Sequence, residues 1–481
     1  MKYLRSLISS KYTPFLILVV LTLITRFLFL GKTAPFIWDE ARDINYVHHI
    51  VNEKPLTLIG AFSERGVEVS GSFYYYLILP LTVLLKYNPL GPVLTMALLG
   101  SVNILIFYLI FKKILGKEGA FGATLSTIGY YPFLVASRWA WNPYPVLFFN
   151  SLALFFWLNP TPLSWFAAGV SLAISFNIHF LSIFTSLGLL IVSFILTRIK
   201  RLPFRNVLAL MAGFLTGSIP LLVFELRHFF FSKMFLFSQT NFNDPTFGPP
   251  NLPRLLDVSK YFLLIYSVWL LPIVVGRSSK LKIDSKVNGL ATLALLTSVI
   301  GLFVLIFLRH TNERYFYFPV PFFVFGIIGA TRNLWRNKRL SLAVGVVLLV
   351  SGLLIYLSRL TPSWQRSIPQ FQKTIPIIEQ DLQVFSEDTK FNVAALQGPE
   401  QNLTGDRYRF ILQLRGNKIL DKREYHLTQV LYVISGTGDT EKIYSDQAFE
   451  IRSLSPFEIT KSWQIDSSWY VHRVERRPEK K

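Results

Sequence analysis

The chain has 481 residues, of which 52% are apolar and 16% are charged, whereas about one quarter of the residues of a soluble globular protein are charged. This composition indicates a polytopic membrane protein. Cysteine is absent, which excludes disulfide bonds, thiolate metal ligands and cysteine nucleophiles. Residues 1–360 hold 32 Lys and Arg against 12 Asp and Glu, so nearly all of the net charge of +21 lies there. Such an excess is typical of cytoplasmic loops and headgroup contacts, and does not indicate nucleic-acid binding.

The first predicted membrane span covers about residues 13–30 and follows three basic residues. It is typical of an uncleaved signal anchor, and the positive-inside rule places its N-terminus in the cytoplasm. Residues 73–87 are apolar but short, contain a proline and begin with an aromatic run. They predict an interfacial or re-entrant helix, because tyrosine favours the headgroup level. A long first outer loop therefore covers residues 31–90.

Ten further spans follow, and the basic loops between them then all lie in the cytoplasm. They are predicted at about 91–111, 119–136, 144–158, 163–179, 181–197, 207–225, 258–275, 287–308, 316–331 and 340–357. After residue 360 the segments 391–396 and 430–435 are typical of buried strands, with a helix at about 406–415 between them. We predict an α-helical polytopic membrane protein with about eleven transmembrane helices over residues 1–360. A small extracytoplasmic α/β domain is predicted over 361–481.

The segment FIWDEARD, residues 36–43, places three carboxylates beside one arginine directly after the first span. Acidic residues are scarce in this part of the chain, yet Asp39, Glu40 and Asp43 fall within five positions. A carboxylate at the aqueous edge of a membrane can act as a general base toward a hydroxyl group. Asp39 or Glu40 is therefore the predicted base. A solvated loop next to a helix end is the alternative interpretation.

Arginine suits a phosphate, because its planar guanidinium forms two parallel hydrogen bonds and keeps its charge. Arg138, Arg227 and Arg314 all lie at predicted outer ends of spans, on the same side as the carboxylates. They are candidates for holding a phosphate, with snorkelling or a structural ion pair as the alternative for each. Arg26 lies late in the first span and is placed to snorkel to the interface.

Other motifs carry little functional information. His179, His228 and His310 have no metal-ligand spacing, and the sequon at Asn402 is a common tripeptide. Neither a P-loop nor a dinucleotide fingerprint occurs in the sequence. Their absence argues against an ATP-driven pump and against a soluble nucleotide-sugar enzyme.

The order of these segments resembles the GT-C integral-membrane glycosyltransferases, in the branch of the protein O-mannosyltransferases and aminoarabinose transferases. The resemblance covers most of residues 1–335. The matching features are a first span with a late arginine, then Trp38–Ala41, Gly71–Tyr76, Ser137–Asn142 and Glu313–Tyr315. One departure concerns Gly71-Ser72, which stands where many members have His-Pro-Pro or Gly-Pro.

The resemblance implies an inverting transfer of a sugar from a polyprenyl-phosphate carrier to a hydroxyl of a lipid, glycan or protein on the outer face. It implies Asp39 as the base with Glu40 beside it. The residues implied to bind the donor phosphate are Arg138, Arg314, Arg42 and Tyr315. Those implied to line the site are Trp38, Tyr74, Tyr75, Asn142, His179, Glu225 and Arg227. No cofactor is assigned with certainty, and a divalent metal is left open.

Two alternatives use the same residues. A flippase or transporter of lipid-linked glycans would receive a lipid phosphate on the outer arginines without making a bond. Its usual signs, charged residues near mid-span and repeated halves, are not evident in the sequence. A metal-dependent oligosaccharyltransferase would need several outer carboxylates as ligands, for example Asp39, Glu64, Glu68 and Glu225.

Overall fold

A computed structural model of the chain describes most of its length in a mainly helical fold with one small sheet. The described residues are 13–53, 56–61, 70–200, 202–229, 252–277, 285–307, 312–360, 368–396, 405–467 and 469–477. The chain divides into two compact units. The membrane unit comprises Met1–Leu28, Ile50–Leu84 and Gly91–Arg359. The α/β unit comprises Phe29–His49, Leu85–Leu90 and Leu360–Lys481, so it includes the acidic segment 36–43.

The described residues up to 382 form eighteen α-helices. In chain order they are α1 Thr13–Phe27, α2 Leu30–Thr33, α3 Trp38–Asn52, α4 Phe73–Leu84, α5 Leu90–Gly129, α6 Tyr131–Ala136, α7 Pro145–Trp157, α8 Pro162–Ile178, α9 Ile183–Lys200, α10 Arg205–Gly217, α11 Ile219–Arg227, α12 Leu252–Tyr266, α13 Leu270–Arg277, α14 Ser285–Phe303, α15 Val320–Ala330, α16 Arg332–Arg336, α17 Lys338–Arg359 and α18 Ile368–Leu382. Short 3-10 turns join some of them, including Phe180–Ser182 and Glu313–Tyr317.

Within the described ranges, six helical segments are long and apolar enough to cross a membrane. They are Thr13–Thr33, Leu90–Gly129, Phe180–Ile199, Leu255–Gly276, Gly289–Phe307 and Lys338–Arg359. The pair α10 and α11, bent by 59°, makes a seventh if it is one span. Helices α4, α7, α8 and α15 are apolar but shorter. The chain is therefore an integral membrane protein, and the predicted total of about eleven spans remains a prediction.

Close backbone contact joins α5 to α17. A Cβ atom on Gly345 would lie 2.4 Å from the carbonyl oxygen of Gly122, and one on Gly352 would lie 2.0 Å from that of Gly129. Because lipid tails are as apolar as leucine, helices associate in a membrane mainly through such close packing of small residues. These glycines therefore hold α5 closely against α17.

The α/β unit contains one four-stranded sheet. Its remaining elements are β1 Phe391–Leu396, α19 Asp406–Leu414, β2 Val430–Ser435, α20 Glu441–Tyr444, α21 Phe449–Arg452, β3 Phe457–Asp466 and β4 Trp469–Arg476. The strand order is β1-β2-β4-β3, with β1 and β2 parallel and the other pairs antiparallel. The predicted strands 391–396 and 430–435 and the helix between them are confirmed. The β3–β4 hairpin was not predicted.

Helix α18 is tied to the sheet by a buried acid. Asp381 is 4% exposed, accepts a hydrogen bond from the Tyr432 hydroxyl at 2.9 Å and pairs with Arg473 at 3.1 Å. Burial, together with the hydrogen bond to Asp381, raises the pKa of the Tyr432 phenol, so the phenol remains the proton donor. The C-terminal sheet and α18 consequently form one body.

Candidate functional site

In the membrane unit, Arg314 is the predicted site residue whose surroundings best fit an anion. It lies in the 3-10 turn Glu313–Tyr317, which begins where the Asn312 side chain accepts a hydrogen bond from the Arg314 N–H at 3.2 Å. Its guanidinium carbon lies 3.6 Å from the centroid of the Trp141 ring. The Nε and Nη1 atoms of Arg314 are buried and have no hydrogen-bond acceptor among the described residues.

Buried donors without acceptors are costly, at about 1–3 kcal/mol each, and such groups are rare in native proteins. A ring stacked on the guanidinium, here that of Trp141, leaves the N–H groups at the edge of the plane available for in-plane hydrogen bonds. A phosphate oxygen pair matches that edge. The arrangement at Arg314 is therefore suited to hold an anion.

Aromatic and imidazole rings surround this arginine. Trp139 stacks on Trp141 with centroids 4.7 Å apart. The His179 ring lies 5.4 Å from that of Tyr315, and its Nδ1 accepts a hydrogen bond from the Leu181 N–H at 3.3 Å, which assigns the proton of a neutral ring to Nε2. His179 lies where α8 ends and the turn Phe180–Ser182 begins. The structure thus brings His179, Tyr315 and Arg314 together.

An ionic network holds the turn that carries Arg314. The Glu313 carboxylate accepts a hydrogen bond from the Tyr317 hydroxyl at 2.5 Å and pairs with Arg359 at 2.6 Å. Arg359 also donates to the Tyr131 hydroxyl at 3.1 Å. Sequence analysis identified Glu313 only as part of a motif and missed Tyr131 and Arg359, which are distant in sequence.

Arg138 has a different environment. Its guanidinium is buried at the C-terminal end of α1, where Nη1 donates to the carbonyl oxygens of Thr25 and Arg26 at 2.9 and 3.0 Å. Nη2 donates to the Leu28 carbonyl at 2.9 Å and Nε donates to the Tyr356 hydroxyl at 2.8 Å. The last carbonyls of a helix have no partners within the helix, so Arg138 acts as their cap. Its predicted phosphate contact remains a prediction.

Of the remaining predicted lining residues of the membrane unit, three are connected to the segment that carries Trp141 and two lie at the end of α11. Tyr74 is buried and its hydroxyl donates to the Ala140 carbonyl at 2.6 Å, which connects it to the segment that carries Trp141. The others are placed as follows: Tyr75 is buried beside Tyr74, Asn142 is half-buried in the same turn as Trp141, Glu225 is half-buried and Arg227 is exposed, both at the end of α11. The structure therefore connects Tyr74, Tyr75 and Asn142 to the Trp141 segment.

In the α/β unit, Asp39, Glu40 and Arg42 lie in the first turns of α3, which begins at Trp38. The Glu40 carboxylate accepts a hydrogen bond from the Ile37 N–H at 2.7 Å, so it caps its own helix. Arg42 pairs with Asp39 at 3.0 Å, and its Nε and Nη2 donate to one oxygen of Asp43 at 3.0 and 2.8 Å. Asp39 is 8% exposed, against 2% for Glu40 and 1% for Asp43, and its role as the base remains a prediction.

Metal binding has no support in the described part of the chain, where no three His, Asp or Glu side chains come together as a possible metal site. Glu64, Glu68, His310 and the sequon at Asn402 lie outside the described residues. The metal-dependent alternative therefore gains no ligand set from the residues that the structure describes.

No protein-family model and no curated protein sequence matches the chain. Its fold is similar to that of ArnT from Cupriavidus metallidurans, a GT-C aminoarabinose transferase, at 12% sequence identity over 96% of this chain and 98% of ArnT. The TM-score is 0.62 for the apo crystal structure and 0.60 for the crystal structure bound to undecaprenyl phosphate. The chain has the GT-C fold. The fold predicted from the sequence resemblance is thus confirmed.

A further solved structure aligns less well. The oligosaccharyltransferase of Archaeoglobus fulgidus, in complex with zinc and sulfate, aligns at 10% identity and a TM-score of 0.49, over 89% of this chain and 68% of that chain. The Trp141–Arg314 stack was not predicted from the sequence. The signal for it was the aromatic segment 137–143, in which Trp141 meets an arginine 173 residues further along the chain.

Proposed function

We propose that the protein is an inverting glycosyltransferase that moves a sugar from a polyprenyl-phosphate carrier to a hydroxyl acceptor on the outer face of the membrane. The observation that carries the proposal is Arg314, stacked on Trp141 with two buried donors that lack acceptors among the described residues. The GT-C fold supports it, as does the crystal structure of ArnT bound to undecaprenyl phosphate. The sugar and the acceptor are not part of the proposal.

The chemical step is a single displacement at the anomeric carbon of the sugar. The acceptor hydroxyl oxygen forms the new bond to that carbon as the bond from the carbon to the phosphate oxygen breaks. The hydroxyl proton passes to the Asp39 carboxylate, and the electron pair of the broken bond leaves with the polyprenyl phosphate. Attack opposite to the leaving group inverts the anomeric configuration.

Two residues carry the proposed roles. In the membrane unit, Arg314 neutralises the phosphate, which makes it a better leaving group because negative charge increases on it in the transition state. In the α/β unit, Asp39 accepts the proton, and it is paired with Arg42 at 3.0 Å. Neither role needs a nucleotide, in keeping with the absence of nucleotide-binding motifs from the sequence.

The role of Arg314 is tested by the affinity for undecaprenyl phosphate. Arg314→Ala is expected to weaken binding about 10- to 100-fold, because a charge-assisted hydrogen bond contributes about 1.5–3 kcal/mol. Arg314→Lys keeps the charge but not the planar guanidinium, so its affinity should lie between those of the wild type and Arg314→Ala. Arg339→Ala, which removes an exposed arginine at the start of α17, is the matched control. Equal affinity for Arg314→Ala and Arg339→Ala would contradict the proposal.

The role of Asp39 is tested by turnover with undecaprenyl phosphate linked to mannose or aminoarabinose, the sugars of the branch that the sequence resembles. Asp39→Asn should lower kcat by about 100- to 10,000-fold, since it removes a general base. Glu53→Gln, an exposed carboxylate just after α3, is the control. Unchanged turnover would remove Asp39 from the mechanism, and relocation of the lipid without sugar transfer would favour the transporter alternative.

A further inference from the structure

The segment that carries Asp39 packs on residues from the C-terminal part of the chain, all within the α/β unit. The Phe36 side chain is 1% exposed, and its ring meets that of Phe371 edge-on with centroids 5.0 Å apart. The Phe371 ring lies 5.6 Å from that of Tyr408, which is also 1% exposed. Phe36 is therefore inserted into an aromatic cluster built by α18 and α19, and such ring pairs stabilise packing beyond the area they bury.

The backbone of the same segment is held by a charge. Arg407, the second residue of α19, donates from Nη1 to the carbonyl oxygen of Phe36 at 3.0 Å. Ala34 is fully buried, and α2 packs against α18. The C-terminal part of the chain thus contacts both the side chain and the main chain of Phe36, which fixes its position and its orientation.

Hydrogen bonds transmit this constraint from Phe36 to Asp39. The Ile37 carbonyl accepts the first helical hydrogen bond from the Ala41 N–H at 3.2 Å. The Ile37 N–H in turn donates to Glu40 at 2.7 Å. Residues 36–41 are consequently one rigid helix start, so a shift of Phe36 would move the Asp39 carboxylate with it. A misplacement of about 1 Å at a reacting group can cost about 100-fold in rate.

We propose that the C-terminal part of the chain, residues 360–481, positions Asp39 for the chemical step, with Arg407 and Phe371 as positioning residues. The inference rests on the proposed function, in which Asp39 is the base. The inference predicts that the α/β unit affects kcat. The contacts of Arg407 and Phe371 end on the segment that carries the base, whereas the donor phosphate is assigned to Arg314.

The test compares full-length variants by amide hydrogen exchange of residues 34–42 and by steady-state kinetics. Arg407→Ala should speed exchange in this segment and lower kcat about 10- to 100-fold with an unchanged donor KM. Arg407→Lys keeps a cationic donor and should restore part of both. Phe371→Leu keeps an apolar side chain without the ring contact and should also lower kcat. Arg423→Ala, an exposed arginine of the same unit, should resemble the wild type.

Three outcomes would overturn the inference: unchanged exchange in Arg407→Ala, faster exchange with unchanged kcat, or an equal loss of kcat in Arg423→Ala. Failure of the proposed function has a different signature. In that case Asp39→Asn turns over as fast as the wild type, or the wild type transfers neither sugar. The exchange measurement needs no substrate and still decides whether Arg407 holds the segment.

Discussion

Two arginines that look equivalent in the sequence have different surroundings. Arg138 donates to three carbonyls at the end of α1 and to a tyrosine, whereas Arg314 has two buried donors without acceptors among the described residues. A guanidinium that caps a helix already has the acceptors that a phosphate would supply. Arg314 is for this reason the stronger candidate for the donor phosphate.

The capping role of Arg138 leads to a prediction on stability. Arg138→Ala should leave buried carbonyls at the end of α1 without donors and lower the free energy of unfolding by about 1–3 kcal/mol. The affinity for undecaprenyl phosphate should not change. Thermal unfolding in detergent and lipid binding measure the two effects, with Arg339→Ala as the control. Weaker lipid binding at normal stability would instead support the phosphate contact predicted from the sequence.

The sequence could identify these side chains but not their partners. That Asp39 and Glu40 open a helix follows from their local pattern, and the hydrogen bond from Ile37 to Glu40 is a local capping interaction. The acceptors of Arg138 lie about 110 residues away in the chain. Whether an arginine binds such carbonyls or a ligand is decided by tertiary packing, which residue type and spacing do not report.

At the level of elements, the 3-10 turn Glu313–Tyr317 is the structure that presents Arg314 and Tyr315. It is short and has little helical hydrogen bonding of its own, so its position depends on the Glu313–Arg359 pair and on the Tyr317 hydroxyl. Arg359 is the last residue of α17, and the pair therefore connects the turn to a long apolar helix.

Removal of this anchor should affect lipid binding only moderately. The Arg359 and Glu313 side chains are 38% and 20% exposed, so the pair contributes about 1 kcal/mol at most. Arg359→Ala should accordingly weaken the affinity for undecaprenyl phosphate by about fivefold, less than Arg314→Ala does. Lys338→Ala removes a more exposed pair with Glu118 and is the control. A loss as large as that of Arg314→Ala would indicate that Arg359 itself contacts the phosphate.

Helices and strands were predictable where one hydrophobic pattern dominates the segment. Strands β1 and β2 are buried along their whole length, so continuous apolar runs identified them at the observed bounds. Strand β3 is an edge strand with exposed polar residues, and it was not predicted from the sequence. Partly exposed edge strands show a weaker apolar pattern because one of their faces is in water and carries polar residues.

For the whole molecule, the main difference from expectation lies in which residues group together. The sequence divides at about residue 360, where the composition changes. The structure groups Phe29–His49 with Leu360–Lys481, because Phe36 packs on Phe371 and Arg407 binds the Phe36 carbonyl. Contacts between residues more than 300 positions apart leave no mark in local composition, so this grouping could not be predicted.

The side of the membrane on which each part lies is the remaining large-scale prediction. The excess of basic residues in the loops of residues 1–360 predicts that the start of α17 lies in the cytoplasm and the α/β unit outside. Because the chain contains no cysteine, single cysteines can report on this without background. Asp388→Cys, in an exposed position of the α/β unit, and Arg339→Cys, at the exposed start of α17, form a matched pair.

In sealed cells, a membrane-impermeant maleimide should label Asp388→Cys at once and Arg339→Cys only after the membrane is permeabilised. The cysteine-free wild type is the blank in both conditions. The opposite pattern would place the α/β unit, and with it Asp39, in the cytoplasm, and transfer on the outer face would then be wrong. Labelling of both positions in sealed cells would require an even number of spans between residues 339 and 388, and therefore a different assignment of the basic loops.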